Sequence, residues 1–308
     1  MYIKIINDFY TAFLGGTNVQ KKVGVFYFSG TGNTEIIVNI LGNELLKTGN
    51  KIEIIRIEDI LKDNIFFDVD SYDLVGICYP VHAFNAPSIV FDFIKRLPRV
   101  KDKYTFIIKN AGSSFIHAGS TTIIKNKLIA KGYDLFNESL ILMPSNIFTK
   151  YPDELSKQLY LTSIKKVNRV VREILNGKMR RQKNSAMLTF FTRVTSFFEG
   201  IGAPLFGKDL KVNNNCVSCS KCVKNCPRGN IRMEGLKVKF GMSCMACLRC
   251  IYRCPQGSIK PTIFKFAVFK DGYNLQNIIE NPEIKGEYIT RNSKGKYKEF
   301  YDYIFNED

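Results

Sequence analysis

The sequence predicts an α/β domain built on a parallel sheet, followed by a small cysteine-rich α+β domain. Two observations carry this prediction. Strand-like and helix-like segments alternate over residues 23–175, which is typical of a parallel sheet covered by helices on both faces. Eight of the nine cysteines fall within residues 216–254. A length of 308 residues allows about two domains of ordinary size.

Five short apolar runs, rich in β-branched and aromatic residues, predict strands that are buried on both faces. These strands are expected at residues 23–28, 51–57, 74–79, 104–109 and 135–143. Between them, apolar residues recur at the spacing of an amphipathic helix. The helices are expected at residues 35–46, 89–97, 121–130 and 155–175.

The cysteine-rich segment is flanked by regions of different composition. A basic, phenylalanine-rich linker follows the α/β domain and predicts one helix at residues 187–198, packed between the two domains. The two ends of the chain show weak periodicity. The predicted organisation is an extension at 1–22, the α/β domain at 23–175, the linker at 176–210, the cysteine-rich domain at 211–262 and an extension at 263–308.

Composition and charge exclude several classes of protein. No apolar run reaches about 18 residues without a charge, so no membrane-spanning helix is expected. No secretory signal is recognised, so a cytoplasmic protein is expected, in which clustered cysteines are metal ligands before they are disulfides. The net charge is +17, but no nucleic-acid-binding fold accompanies it, so no nucleic acid is expected as a partner.

Two cysteine segments repeat at an offset of 28 residues, CVSCSKCVKNCP from Cys216 and CMACLRCIYRCP from Cys244. Each has the pattern C-x2-C-x2-C-x3-C-P, a spacing used to ligate [4Fe–4S] clusters. The alternative is a pair of structural zinc sites. Zinc usually takes two separated pairs of cysteines, and the third, closely spaced cysteine argues against it.

The module resembles the two-cluster bacterial ferredoxins, in which the fourth cysteine of each motif ligates the other cluster. The resemblance implies that one cluster is held by Cys216, Cys219, Cys222 and Cys254. It implies that the other is held by Cys244, Cys247, Cys250 and Cys226.

The charge of this module departs from the usual acidic ferredoxin. Five basic residues lie inside the two motifs, namely Lys221, Lys224, Arg228, Arg249 and Arg253. A nearby cation stabilises the reduced, more negative cluster. We therefore expect cluster potentials above those of acidic ferredoxins, and an acidic electron-transfer partner. The alternative is a solvated basic surface whose effect is screened.

A glycine-rich loop, SGTGNT, lies between the first predicted strand and the first predicted helix. The loop has no lysine, which excludes the phosphate loop of a nucleotide triphosphatase. Glu35 stands where a dinucleotide-binding loop has its third glycine, which argues against that type of loop as well. What remains is a phosphate loop that uses backbone amides and the hydroxyls of Ser29, Thr31 and Thr34. Gly30 and Gly32 would allow the backbone to approach the phosphate.

The loop matches the FMN-phosphate signature [ST]-x-T-G-x-T, and the α/β domain resembles the flavodoxins. The resemblance implies a doubly wound sheet with strand order 2-1-3-4-5 and FMN at the switch point. The phosphate-binding residues would be Ser29, Gly30, Thr31, Gly32, Asn33 and Thr34. The loops beside the flavin ring would supply Tyr79, Pro80, Val81, His82, Phe84, Asn110, Ala111 and Gly112. The alternative is a flavodoxin-like domain that has lost its flavin.

Flavodoxins often stack a tryptophan on the ring, and this chain has none. Tyr79, His82, Phe84 and Phe115 are the available aromatic side chains. His82 and His117, the only histidines of the chain, fall in the two ring loops and are candidate proton donors. The alternative for each is a loop histidine bound to backbone or solvent. Cys78, in an apolar strand, is expected to be a buried inert thiol.

A flavodoxin-like domain followed by a two-cluster ferredoxin module resembles the flavodoxin-fused ferredoxins of anaerobic bacteria, called EFR-type ferredoxins. The resemblance implies bound FMN, two [4Fe–4S] clusters and electron transfer between them. Three functions stay open. In the first, the protein is an oxidoreductase whose clusters pass electrons to FMN, which reduces a small-molecule or protein acceptor. In the second it is an electron carrier without its own substrate, and in the third it is a redox sensor.

Overall fold

The computed structural model describes residues 20–63, 65–114, 118–181, 186–293, 297 and 300–306. Most of the N-terminal extension lies outside the described residues. Five parallel strands form one sheet, with β1 at Lys22–Tyr27, β2 at Lys51–Arg56, β3 at Leu74–Pro80, β4 at Lys103–Ala111 and β5 at Tyr133–Leu142. Their order is β2-β1-β3-β4-β5, which confirms the predicted doubly wound, flavodoxin-like order.

Helices cover both faces of this sheet. They are α1 at Asn33–Lys47, α2 at Ile57–Asp63, α3 at Ser88–Arg96, α4 at Thr122–Ile129 and α5 at Asp153–Leu175. Apolar residues of α1 and α5 pack on one face, and those of α2, α3 and α4 pack on the other. The sequence patterns missed α2, because this helix follows β2 directly, without a turn residue between them.

The linker forms one long helix, α6, at Ala186–Asp209. The expected end at residue 198 is wrong, since the helix continues through Gly200, Gly202 and Pro204. Only part of its predicted apolar face is covered. Phe197 and Phe198 are each 65% exposed. Farther along the helix, Glu199, Gly202, Ala203 and Phe206 face a cavity between the α/β domain and the cysteine-rich domain.

The cysteine-rich domain is small and pseudo-symmetric. Its elements are β6 at Leu210–Val212, α7 at Lys221–Asn225, β7 at Ile231–Glu234, β8 at Lys237–Phe240, α8 at Arg249–Tyr252 and β9 at Ile259–Pro261. The strands pair as two antiparallel ladders, β6 with β9 and β7 with β8. The first ladder closes the two ends of the domain against each other.

The C-terminal extension packs back onto the α/β domain, with helices α9 at Leu275–Glu280 and α10 at Tyr301–Phe305. Leu275 belongs to the core on the side of α1 and α5. Phe300, fully buried, packs with Leu155 and Leu159 of α5. The hydroxyl of Tyr303 accepts a hydrogen bond from the backbone N–H of Leu142 at 3.0 Å. This segment therefore completes the α/β domain, which its weak periodicity did not predict.

Candidate functional site

The structure gathers the eight clustered cysteines around two small cavities. One is lined by Cys216, Cys219, Cys222 and Cys254, with Cys250 also at its edge. The other is lined by Cys226, Cys244, Cys247 and Cys250. In each case the fourth cysteine of one motif stands with the first three of the other. These are the two sets that the ferredoxin resemblance implies.

The backbone around each cavity is bent in the same unusual way. Ser218 and Ser220 have φ of 52° and 57°, and the equivalent residues of the second motif, Ala246 and Leu248, have φ of 50° and 61°. A left-handed conformation costs a non-glycine residue roughly 1–2 kcal/mol. Alternating right- and left-handed residues turn successive N–H groups into a concave, anion-binding surface. Such a surface fits an anionic iron–sulfur cluster.

The thiols themselves also fit a metal centre. Burial raises the pKa of Cys244 to about 12 and that of Cys250 well above its usual value, so their thiolates need a cation such as iron beside them. Backbone N–H groups of Asn230 and Ser258 point at the sulfurs of Cys226 and Cys254, at 3.2 and 3.3 Å. Among the described residues, no three His, Cys, Asp or Glu side chains converge on a single ion.

The glycine-rich loop begins α1, with Gly32 at its N-cap. Gly32 has φ +114°, and a Cβ on it would meet nothing within 4 Å. Gly30 is confined from a different direction than expected. A Cβ on Gly30 would lie 2.6 Å from the carbonyl oxygen of Cys247. Because Gly30 has no side chain, the backbone of Cys247 in the cysteine-rich domain can lie against it, whereas the expected reason for the glycine was the approach of a phosphate.

The polar side chains of this loop are held by neighbouring segments. The Ser29 hydroxyl accepts a bond from the Gly32 N–H at 3.2 Å, and the Thr31 hydroxyl accepts one from the Asn146 amide at 2.6 Å. Both hydroxyls keep a hydrogen to donate to a phosphate. The Thr34 hydroxyl instead donates to Asn110 at 2.6 Å, which ties the phosphate loop to the end of β4.

A cavity of about 440 Å³ lies at the carboxyl ends of β3 and β4; we call it the flavin cavity. This volume is within the range of small-molecule sites. Seven of the residues predicted to contact FMN line it, namely Asn33, Pro80, Val81, His82, Asn110, Ala111 and Gly112. The sequence missed the opposite wall, which comes from the 144–148 loop, from α6, from residues 246–248 and from Phe264, Phe266 and Ala267.

The flavin cavity directly adjoins the second cysteine set. Ala246, Cys247 and Leu248 form part of its wall, and Cys247 and Leu248 also line the cavity of that set. A flavin in one cavity and a cluster in the other would be separated by one layer of protein. The two domains therefore create a single site that neither contains alone.

Two of the predicted ring contacts lie elsewhere. Tyr79 is fully buried in the sheet core, because its position on β3 points into the layer below α3 and α4. Phe84 packs on Phe191 of α6, with ring centroids 5.3 Å apart, and is not among the residues that line the flavin cavity. Phe115 and His117 lie outside the described residues. Cys78 is fully buried, and burial raises its pKa to about 12.

His82 does line the flavin cavity, and α6 places a carboxylate beside it. The Nδ1 atom of His82 lies 3.7 Å from Oε1 of Glu199. Burial lowers the pKa of His82 to about 4 and raises that of Glu199 to about 7. The sequence pointed to His82 but not to Glu199, which lies beyond the predicted end of the linker helix.

The three arginines of the cysteine motifs contact acidic groups of the α/β domain. Arg249 pairs with Glu58 at 2.6 Å, Arg253 with Glu35 at 3.0 Å and Arg228 with Asp92 at 2.5 Å. These three charges are therefore paired within the chain, and an external acidic partner stays a prediction that rests on the remaining basic residues. Lys221 and Lys224 stay exposed.

The fold and the site define a class of protein in which a domain of flavodoxin-like fold is joined to a small cysteine-rich domain of the 4Fe–4S type. Residues 208–255 match the family described as a 4Fe-4S dicluster domain. No curated protein matches the sequence. Membership in the EFR-type family stays a prediction.

Several solved structures are similar to the α/β half of the chain. The two-electron-reduced flavodoxin of Megasphaera elsdenii is 21% identical, with a TM-score of 0.35, and the alignment covers 49% of this chain and 98% of that one. General stress protein 14 of Treponema denticola, solved in complex with FMN, is 7% identical, with a TM-score of 0.39, over 52% of this chain and 99% of that one.

None of the helices in the described part of the chain combines the length and apolar character needed to cross a membrane.

Proposed function

We propose that the protein transfers single electrons between two [4Fe–4S] clusters and an FMN held in the flavin cavity. The observation that carries this proposal is the shared wall of the two sites, formed by Cys247 and its neighbours. An iron–sulfur cluster passes one electron at a time, whereas a flavin holds one or two. The pairing suits conversion between one-electron donors and a two-electron acceptor.

The cluster ligands in this proposal are the two sets of cysteines that line the small cavities. Cys244, Cys247, Cys250 and Cys226 would hold the cluster beside the flavin, and Cys216, Cys219, Cys222 and Cys254 the outer one. Cys219 is exposed, so the outer cluster is the one within reach of a donor protein. Electrons would then pass from the surface, through the two clusters in turn, to the flavin.

The FMN phosphate would be held by the N-terminus of α1, where the helix dipole and the first amides favour an anion. The hydroxyls of Ser29 and Thr31 would donate to it, and Thr34 would hold the loop through Asn110. The residues after β3 and β4 would border the flavin ring. FMN supplies the redox chemistry, and these residues bind and orient it.

The cavity favours an oxidoreductase over a closed electron carrier. Its outer wall carries Phe148 and Phe266, which stack at 6.1 Å and are 63% and 67% exposed. Exposed aromatic side chains at the mouth of a cavity suit the docking of an acceptor. The acceptor would be a small molecule or a protein that presents its own redox centre.

The test is anaerobic purification of the full chain, with measurement of iron, sulfide and FMN. About eight iron atoms and one FMN are expected, and dithionite should reduce the clusters before the flavin spectrum bleaches. Thr31→Val should weaken FMN binding, whereas Thr48→Val, at the other end of α1, should not. A protein with eight iron atoms that takes up no FMN would contradict the proposal.

A further inference from the structure

Glu199 lies between two cavities. On one side of α6 it lines the flavin cavity. On the other it lines a second cavity of about 380 Å³, which we call the outer cavity. The wall of the outer cavity includes Met242, which is 54% exposed, so this cavity opens to solvent. The side chain of Glu199 therefore borders both the flavin cavity and the outer cavity.

The turn that carries His82 is built against the helix that carries Glu199. Residues 82–85 close with two backbone hydrogen bonds between His82 and Asn85, at 2.8 and 2.7 Å. The two residues inside the turn, Ala83 and Phe84, have φ of 40° and 65°. Neither is a glycine, so the turn is strained and needs outside support.

Helix α6 supplies that support along one face. The Thr195 hydroxyl donates to the carbonyl of Ala83 at 3.0 Å, and the Asn85 amide donates to the Ser196 hydroxyl at 2.8 Å. Glu199 follows Thr195 by four residues, so both lie on the same face of the helix. Anchoring the turn at Thr195 and Ser196 fixes His82 beside Glu199.

We propose that Glu199 and His82 form a proton path from the outer cavity to the flavin cavity. The carboxyl group of Glu199 passes a proton to Nδ1 of His82, and His82 releases one from Nε2 into the flavin cavity. Glu199 then regains a proton from solvent in the outer cavity, and the imidazole returns to its Nε2–H tautomer before the next transfer. The 3.7 Å gap between the two side chains is bridged by one water or by a small rotation.

The path conserves charge over each turnover. One proton enters from solvent for each proton delivered, and the electron that it accompanies arrives through the clusters from a one-electron donor such as dithionite. The proposal rests on the proposed function, because it takes the flavin cavity to hold FMN. Glu199 acts through His82 and is a positioning and relay residue rather than one in contact with the ring.

The surroundings suit this role. Besides His82, the titratable or charged side chains that line the same cavities as Glu199 are Cys247 on the flavin side and Arg228 and Cys244 on the outer side. Burial raises the pKa of Glu199 to about 7 and lowers that of His82 to about 4. At pH 6 Glu199 therefore carries a proton and His82 is neutral, which is the loaded state of the path.

The test compares Glu199→Gln and Glu199→Asp with wild type and with Glu283→Gln, a change at an exposed site in the C-terminal extension. Infrared difference spectra of the dithionite-reduced minus oxidised full chain report the protonated carboxyl. Stopped-flow spectra in H2O and D2O report the rate of flavin reduction from pH 5 to 9. FMN content is measured first for every variant.

In wild type the rate should fall as the pH rises through about 7, with a clear solvent isotope effect. Glu199→Gln should remove the carboxyl band and the pH step and slow reduction about 100-fold. Glu199→Asp should restore the pH step, and Glu283→Gln should match wild type. A Glu199→Gln protein that keeps FMN, the pH step and the isotope effect would overturn the path while leaving the proposed function intact. Absence of FMN from every protein would instead defeat the proposed function.

Discussion

Nη2 of Arg249 lies 2.6 Å from Oε1 of Glu58 at a point where both side chains are almost completely buried. The same guanidinium donates to the carbonyls of Ser29 and Gly30 in the phosphate loop and to that of Asn225 in the cysteine-rich domain. It also lies over the ring of Phe28, 5.5 Å from its centroid. One side chain from a cysteine motif therefore fixes the phosphate loop of the other domain.

Arg249→Gln should destabilise the protein by about 3–5 kcal/mol, because it leaves the Glu58 carboxylate buried without its partner. It should also raise the Kd for FMN, since the phosphate loop loses two hydrogen bonds. Urea unfolding and fluorescence titration of FMN measure the two effects. The double variant Arg249→Gln with Glu58→Gln should recover part of the stability.

Arg253→Gln is the matched control, since its partner Glu35 is also bound by Arg56 and the Arg253 pair is more exposed. It should cost no more than about 1 kcal/mol. If Arg249→Gln and Arg253→Gln lowered the free energy of unfolding equally, the stronger effect that we attribute to the buried ion pair would be contradicted.

Gly30→Ala should slow electron transfer from the clusters to the flavin. Its Cβ would press on the backbone of Cys247, which yields only if the two domains separate, and the cost is about 1–3 kcal/mol. Gly32→Ala provides the comparison, because its cost of about 1–2 kcal/mol comes from a left-handed φ and not from a contact between domains. Stopped-flow reduction should be slower for Gly30→Ala alone. Equal slowing in both variants would show that the contact between Gly30 and Cys247 does not control the rate of electron transfer to the flavin.

Cys226→Ser and Cys254→Ser should damage different clusters. Cys226 lines the cavity beside the flavin, so its loss should reduce the iron content by about half and slow flavin reduction strongly. Cys254 lines the small cavity of the other cysteine set, with Cys216, Cys219 and Cys222, so its replacement should leave the flavin-side cluster in place. Iron analysis and low-temperature EPR of the reduced proteins distinguish the two. The reverse pattern would mean that each fourth cysteine serves its own motif.

Cys78 should resist alkylation until the protein unfolds. Burial raises its pKa to about 12, so almost none of this thiol is ionised at pH 8, and the thiolate is the reactive form. After the iron is removed by a chelator, exposed Cys219 should react with iodoacetamide quickly. Mass spectrometry of the digested protein reports each site. Rapid labelling of Cys78 in folded protein would be inconsistent with its position in the sheet core.

The strands and the cysteine motifs could be predicted from local signals, whereas the strand order and the grouping of the cysteines followed from the family resemblances. Buried β-strands are apolar runs, and cluster motifs have fixed spacing. The pairing of Arg249 with Glu58 joins residues 191 positions apart, and no local pattern reports such a contact. Glu199 was missed because Gly200, Gly202 and Pro204 look like the end of a helix. Beyond these residues Phe206 packs with apolar residues of the cysteine-rich domain, and this packing overrides those weak preferences.

Tyr79 shows a different limit. The loop after β3 was expected beside the flavin ring, and Pro80, Val81 and His82 line the flavin cavity. Successive side chains of a strand, however, point to opposite faces. Sequence position alone did not decide which face Tyr79 would take. Its fully buried ring contributes to the sheet core, and the neighbouring Pro80 and Val81 line the cavity.

The path of the C-terminal extension has a consequence for biosynthesis. Leu275 and Phe300 belong to the packing of the α/β domain, yet the ribosome makes them after the whole cysteine-rich domain. The α/β domain therefore gains its full packing only after the cysteine-rich domain has been synthesised.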